Sequence, residues 1–217
     1  MSVKSVLRAL ITMGRGVVKG IPEATAGRDP LDLFHEWFRA AAESGIFLPE
    51  AMALATASPD GAPSVRMVLL KGADADGFVF YTNYGSRKAT EMEDNPRASL
   101  CFHWAVLERQ VRVEGTVERV SREESEAYFR TRARRSRLGA WASDQSRPLG
   151  ERADLARRLR DTTERFAGDD VPLPDFWGGY RLRPHTIEFW QGKADRLHDR
   201  LVFEHTDHGW ETHRLYP

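Results

Sequence analysis

Between Met52 and Val120 the chain runs through five short segments: MALATA (52–57), VRMVLLK (65–71), FVFYT (78–82), ASLCFHW (98–104) and QVRVEGTVERV (110–120). All but the first are rich in β-branched or aromatic residues. Turn signals part them: Pro59-Asp60-Gly61, Gly72 with Asp76-Gly77, and Asn95-Pro96. Strands that follow one another without a helix between each pair predict an antiparallel sheet or barrel with helices at its periphery. A helix interrupts the run after Ser86, and Gly115 inside the fifth segment predicts a bulge or a sharp bend. The fold class is therefore α+β, mainly β.

Outward from this block the signals are helical on both sides. Asp29-Pro30 is a cap residue followed by proline at the first helical position, and Leu33, Phe34, Trp37, Phe38 and Ala41 recur at helical spacing until Gly45. Ser121-Arg122-Glu123-Glu124 has the capping-box pattern and opens a helix through Tyr128 and Phe129. A longer helix is expected from Pro148 to about Phe166, with Leu149, Ala153, Ala156, Leu159, Thr163 and Phe166 on one stripe. Final strands follow over Gly179–Arg183, Thr186–Gln191, Asp199–His205 and Trp210–Leu215, the last two joined by a Thr206-Asp207-His208-Gly209 turn. No repeat or linker divides the chain. The reading is a mobile arm or peripheral helix over 1–28 and a single domain over 29–217.

Composition narrows the function. The 217 residues carry 32 Lys plus Arg against 32 Asp plus Glu, so bulk electrostatic binding of nucleic acid is not expected. No apolar run approaches the roughly 18 residues of a membrane span. Lys4 and Arg8 precede only a short apolar stretch, Leu10-Ile11-Thr12-Met13, without the length or cleavage site of a signal peptide, and the chain reads as cytoplasmic. The single cysteine, Cys101, excludes an internal disulfide and a multi-cysteine metal site. His205 and His208 bracket the expected hairpin turn without a third ligand nearby, which reads as a solvated turn and no metal site.

Three constellations carry chemistry. In the first, Arg66 and Lys71 end an apolar strand, Tyr81 and Thr82 end the next, and Ser86 opens a helix with Arg87 and Lys88 in its first turn. Cations there oppose the helix dipole. Alone, such a start reads as a solvated helix end. With Arg66 and Lys71, and with two of the chain's five lysines in this region, it reads as a phosphate site. The second is Tyr128, Arg132 and Ser136, within the arginine-rich stretch 130–137, suited to a second phosphate or a carboxylate or else a solvated helix face. The third is Trp190-Gln191-Gly192 followed by Arg196-Leu197-His198-Asp199-Arg200. An Arg-x-His-x-Arg alternation on an extended segment would point three cationic groups to one side, toward something anionic or π-rich.

Taken in order, Arg66–Lys71, Tyr81-Thr82, Gly85–Lys88, Glu108–Val111, Gly139–Trp141, Gln145-Ser146, Phe176–Gly179, Phe189–Gly192 and Arg196–Arg200 resemble the pyridoxine (pyridoxamine) 5′-phosphate oxidase family, from about Asp29 to Pro217. The resemblance implies an FMN-binding split β-barrel working as a homodimer, with FMN between subunits. It implies FMN binding by Arg66, Met67, Val68, Leu69, Leu70, Lys71, Tyr81, Thr82, Ser86, Arg87, Lys88, Gln110, Gln145, Ser146, Trp190 and Arg200. It implies substrate binding by Lys71, Tyr128, Arg132, Ser136, Arg196, Leu197 and His198, the trio Tyr128, Arg132 and Ser136 holding the phosphate and Arg196 and His198 pinning the ring as catalytic residues. The implied reaction passes hydride from C4′ of pyridoxine or pyridoxamine 5′-phosphate to flavin N5, with O2 reduced to H2O2; the alcohol gives pyridoxal 5′-phosphate directly, and the amine gives an imine that hydrolyses to it. The alternatives are a phenazine-pathway flavin oxidase of the same fold and a non-catalytic flavin or pyridoxal-phosphate carrier. The family commonly carries Arg-x-x-Tyr in its N-terminal arm; Arg8 to Gly27 here contains no tyrosine.

Overall fold

The computed structural model describes residues 20–168 and 170–217. The basic residues and short apolar stretch near the N-terminus, and most of the expected arm, lie outside the described residues. The strands are β1 (Ala51–Ala57), β2 (Pro63–Leu69), β3 (Gly72–Asp74), β4 (Gly77–Asn83), β5 (Arg97–Trp104), β6 (Arg109–Arg119), β7 (Trp177–Gln191), β8 (Asp199–Thr206) and β9 (Gly209–Arg214). The helices are α1 (Pro30–Glu43), α2 (Arg87–Asp94), α3 (Arg122–Thr131), α4 (Arg134–Ala142) and α5 (Arg152–Arg165). The strands pair antiparallel in the order β2-β1-β5-β6-β7-β4-β3, with β8 also on β7 and β9 on β8. The sheet curls into a half-barrel, the mainly antiparallel α+β architecture expected.

Strand β7 organises the sheet. It pairs with β6 over Tyr180 to Gln191, while its first part pairs with β4 and its last part with β8. The sequence suggests two strands here because Pro184 cannot donate a ladder hydrogen bond. One continuous strand forms because the register shifts between Glu114 and Gly115 just opposite that proline. The bulge needs its glycine: a Cβ on Gly115 would lie 1.9 Å from the carbonyl oxygen of Arg183.

Helix α1 starts as its cap predicts, with the Asp29 carboxylate accepting the N–H groups of Leu31 and Asp32. It buries Leu33, Phe34, Trp37 and Ala41 on the sheet, where the Phe34 ring meets Phe78 edge-on at 4.9 Å. A second cluster of Phe129, Leu138, Val171, Leu173 and Trp177 sits among α3, α4 and the segment before β7. Helix α4 is not legible in the arginine-rich stretch, yet it forms with Leu138 and Ala142, one turn apart, as its buried residues. Helix α5 begins at Arg152 rather than Pro148, because Asp154 accepts the N–H of Glu151 and sets the first turn there. Its stripe buries no residue fully, so α5 lies on the outside. No described helix is long and apolar enough to cross a membrane.

Candidate active site

Strand β4 ends in Tyr81, Thr82 and Asn83, and the Asn83 side chain accepts the N–H of Gly85 at 2.7 Å, turning the chain into α2. Ser86 takes the N-cap position, but its hydroxyl makes no cap hydrogen bond. It accepts instead from the ammonium of Lys88, which also donates to Thr82 Oγ1 at 3.1 Å and Gln145 Oε1 at 3.2 Å. All three acceptors are neutral. Lys88 is buried, and burial together with the nearby charge of Arg66 pushes its pKa down to about 8. A buried cation in the first turn of a helix, with no counter-charge among its described contacts, is the arrangement an anion completes.

The two arginines of this region share one counter-charge. Buried Glu91 pairs with Arg66 at 3.2 Å and Arg87 at 2.8 Å and accepts from Thr56 and Ser64. Burial raises its pKa, but these hydrogen bonds and the Arg66 charge outweigh that and hold it at about 2. Arg66 is further tied to Thr56, Ser64 and the carbonyl of Leu54. Arg87 reaches out of the fold and lines a separate hollow with Ser146, which has φ 71°. Lys71, just past β2, is exposed and faces the same cleft as Lys88.

That cleft, about 510 Å³, also takes in Met67, Val68, Leu69, Tyr81, Thr82, Gln145, Tyr128, Arg132 and Ser136. Leu70 points the other way, into the core. Tyr128 lies near the end of α3, Arg132 in the extended link and Ser136 in the first turn of α4. The rings of Tyr81, Tyr128 and Trp177 stack nearly parallel, Tyr81 lying 4.0 Å from Tyr128 and 5.5 Å from Trp177. The Arg132 guanidinium lies 4.6 Å from the Trp177 ring centre. Its Nη1 is buried without a hydrogen-bond partner, and burial lowers its pKa. Burial first, then the Glu124 charge, pushes the Tyr81 phenol up to about 12, so it stays a neutral donor.

The third constellation stands apart. Gln110 pairs with Trp190, and Trp190 with Arg200, across three adjacent strands. The His198 ring packs on Trp190 at 4.6 Å, its Nδ1 accepting the N–H of Lys193. The segment is not the extended one expected. Asp195 and Arg196 have φ of 58° and 61°, and Ala194–Arg196 closes a 3-10 turn, so the alternation of Arg196, His198 and Arg200 does not set three cations side by side. Arg200 is instead held by buried Glu188, which also takes Arg112. Arg196 and Leu197 are exposed. No described hydrogen bond, ion pair or ring contact joins this group to the cleft residues.

Three residues escaped the sequence reading. Glu91 was signalled by its i,i+4 spacing from Arg87. Trp177, whose ring carries Arg132, lies in the Phe176–Gly179 landmark but was given no role, and Glu188, which holds Arg200, had no local signal. Their roles depend on strands far apart in sequence.

A family model described as pyridoxamine 5′-phosphate oxidase matches residues 38–165. The chain belongs to this family. A second model, described as the pyridoxine 5′-phosphate oxidase C-terminal dimerisation region, matches residues 177–217 and so covers β7, the 193–198 turn, β8 and β9. Among members of the pyridoxamine 5′-phosphate oxidase family, the chain is 52% identical over 217 residues to the pyridoxine/pyridoxamine 5′-phosphate oxidase of Psychromonas ingrahamii, covering 100% of both chains. It is 58% identical over 198 residues to that of Rubrobacter xylanophilus, covering 91% of each. Among solved structures it resembles PhzG of Burkholderia lata in complex with tetrahydrophenazine-1-carboxylic acid, with 31% identity, TM-score 0.86, and coverage of 91% of this chain and 97% of that one. The fold is shared with an FMN-binding protein of Nostoc punctiforme related to the family, at 18% identity and TM-score 0.70, over 88% of this chain and 100% of that one.

Proposed function

We propose that this chain is a cytoplasmic, homodimeric, FMN-dependent oxidase that converts pyridoxine 5′-phosphate and pyridoxamine 5′-phosphate to pyridoxal 5′-phosphate. The observation that carries the reading is a pair of cations at two separate places in one cleft, buried Lys88 at the start of α2 and Arg132 with a buried unpartnered Nη1, neither with a described carboxylate partner. Two phosphorylated ligands, a flavin mononucleotide and a phosphorylated vitamer, are the chemistry that two such sites require. FMN held there would supply the acceptor for the hydride leaving C4′ and return the electrons to O2 as H2O2; the alcohol then gives the aldehyde directly, and the imine from the amine takes up water and releases ammonia.

The chain's own residues bind and orient. Lys88, Thr82, Ser86, Gln145 and the free N–H groups of α2 hold the flavin phosphate, with Arg66 and Arg87 fixed beside them by Glu91. Met67, Val68, Leu69 and Lys71, which line the cleft, would contact the flavin there, with Leu70 packed beneath them in the core and Ser146 in the neighbouring hollow. Arg132, Tyr128 and Ser136 hold the vitamer phosphate, and the stacked rings of Tyr81, Tyr128 and Trp177 form a rigid wall beside it. Gln110, Trp190 and Arg200, with Arg196, Leu197 and His198, complete the site from the second subunit. In support, that group lies apart from the cleft in one chain and falls mostly within the dimerisation region. The outer face of β2 also leaves Val65 and Met67 about two-thirds exposed, 68% and 65%, as an apolar surface for a partner. The organisation proposed is one oxidase domain over residues 29–217 preceded by an arm over 1–28.

The anion site formed by Tyr128, Arg132 and Ser136 favours a phosphorylated substrate over a phenazine precursor. Anaerobic mixing decides it. Pyridoxamine 5′-phosphate and pyridoxine 5′-phosphate should bleach the bound flavin, and air should restore the colour with peroxide released. Reduction by a dihydrophenazine carboxylate alone, or by neither class, would overturn the reading in favour of a phenazine oxidase or a carrier.

A further inference from the structure

Asp199 begins β8, one residue beyond His198. Its carboxylate accepts the N–H of Ile21 at 2.8 Å and faces Lys193 Nζ at 3.8 Å and Arg214 at 3.9 Å. Arg214 in turn donates to the carbonyl of Ile21 and pairs with Glu23. Ile21 is buried in the main core. One carboxylate thus ties together the root of the N-terminal segment, the last strand, and both ends of the turn 193–198. That turn needs tying. Asp195 and Arg196 are consecutive non-glycine residues in the left-handed region, a conformation that persists only where the surroundings over-determine it. The turn's remaining described ties are local: Lys193 N–H to His198 Nδ1, Leu197 N–H to the carbonyl of Ala194, and the His198 ring on Trp190.

Gly20 fits the same design. Its φ is +60°, and a Cβ there would lie 2.2 Å from Asp199 Oδ2. A side chain there would be strained at that φ and would push the Asp199 carboxylate off the Ile21 N–H.

We propose that Asp199 is a positioning residue for substrate: by clamping residues 20–23 and Lys193, it holds the 193–198 turn in the shape that presents Arg196 and His198. The inference rests on the functional reading above for what those two residues meet. The charged groups facing Asp199 from every packed element are Lys193 and Arg214, with Glu23 behind Arg214. Asp199 does not line the cleft around Lys88, and its carboxylate is held by Ile21, Lys193 and Arg214 and not by Trp190 or Arg200, so FMN affinity serves as the control.

The test uses Asp199→Ala, Asp199→Asn and Gly20→Ala in the FMN-loaded enzyme. In Asp199→Ala and Gly20→Ala, kcat/KM for pyridoxamine 5′-phosphate should fall at least tenfold, and binding of pyridoxal 5′-phosphate should weaken in parallel. FMN affinity should stay within threefold of the parent. Asp199→Asn retains an oxygen for the Ile21 N–H and should lie between. Independently of turnover, trypsin should cut after Lys193 and Arg196 at least tenfold faster in the two alanine variants, relative to its rate at the arginines of residues 130–137. A parent enzyme inert toward the vitamer would refute the functional reading, and the cleavage ratio would still judge the clamp. Parent-like kcat/KM with an unchanged ratio overturns the inference. So does a loss of FMN affinity in step with substrate, which would mark a general structural role.

Discussion

Replacing Lys88 by methionine separates the ligand it awaits from the stability it costs. In the free protein its ammonium is buried against three neutral oxygens at 3.1–3.2 Å, and its pKa is down to about 8. A cation depressed in this way opposes folding wherever it is charged. The unfolded chain binds the extra proton between about pH 8 and the ordinary lysine range, so stability of the FMN-free protein rises with pH across that window. Below pH 8 the penalty is fully present. Lys88→Met has similar reach without the charge, so the FMN-free variant should melt no lower than its parent at pH 7. Flavin binding should move the opposite way. A hydrogen bond to a charged group contributes about 1.5–3 kcal/mol, so its loss should raise the Kd for FMN roughly 10- to 150-fold. The α2 amides and Arg87 remain and keep the effect short of abolition. In the parent, binding must recharge Lys88 above pH 8, so affinity should fall by up to about tenfold per pH unit from there to pH 9.5. In the variant that slope should vanish. Quenching of FMN fluorescence by FMN-free protein from pH 7 to 9.5, beside thermal melts, measures all three. A variant that binds FMN within threefold of the parent and keeps its pH slope would refute Lys88 as the phosphate ligand.

Arg132→Ala removes the cation above Trp177, and KM for phosphorylated vitamers should rise roughly 10- to 150-fold, from the same 1.5–3 kcal/mol, while FMN affinity stays put; equal weakening of both would mean the two anion sites are exchanged. Glu91→Gln leaves Arg66 without its buried counter-charge and should destabilise the protein by about 3 kcal/mol, read by urea unfolding at pH 7. Because the Glu91 pKa is depressed to about 2, its contribution is full above the ordinary carboxylate range and fades as pH falls toward 2, so the gap between parent and variant should close with acidification. A gap constant with pH would deny the carboxylate that role.

Much of this was legible locally. The alternation in Ala51–Ala57, the aromatic run of Gly77–Asn83 and the Asp29-Pro30 cap each carry their structure within a few residues. Gly115 announced the bulge because a strand glycine has few other uses. What was not legible depends on distant partners. Cations at the start of α2 are visible in the sequence. That Glu91 would pair with Arg66 and Arg87 and leave Lys88 without a carboxylate depends on β1 and β2 packing against α2. Arg196, His198 and Arg200 alternate as a strand would, but Asp199 draws the turn toward Ile21 and Arg214, and the alternation is lost. Helix α4 hides among arginines because its apolar face is only Leu138 and Ala142.

The length of β7 decides who owns an active site. Trp177, under Arg132, and Trp190, under His198, stand 13 residues apart on one strand, up to about 43 Å at the usual rise per residue. Beside them β6 pairs in a single ladder broken only at the bulge, so the strand cannot double back to bring its ends together. Under the function proposed above, each chain then supplies two half-sites, and a two-fold dimer assembles two whole sites, each from both chains. Ownership of that kind permits repair by mixing. A chain carrying Arg132→Ala and a chain carrying Arg196→Ala should each turn over little at vitamer concentrations near the parent's KM, since every site in either homodimer lacks one contact. In the mixed dimer one site lacks both and the other lacks neither. Random reassociation of equal amounts should restore roughly a quarter of the parent's sites, whereas sites contained in single chains would restore none.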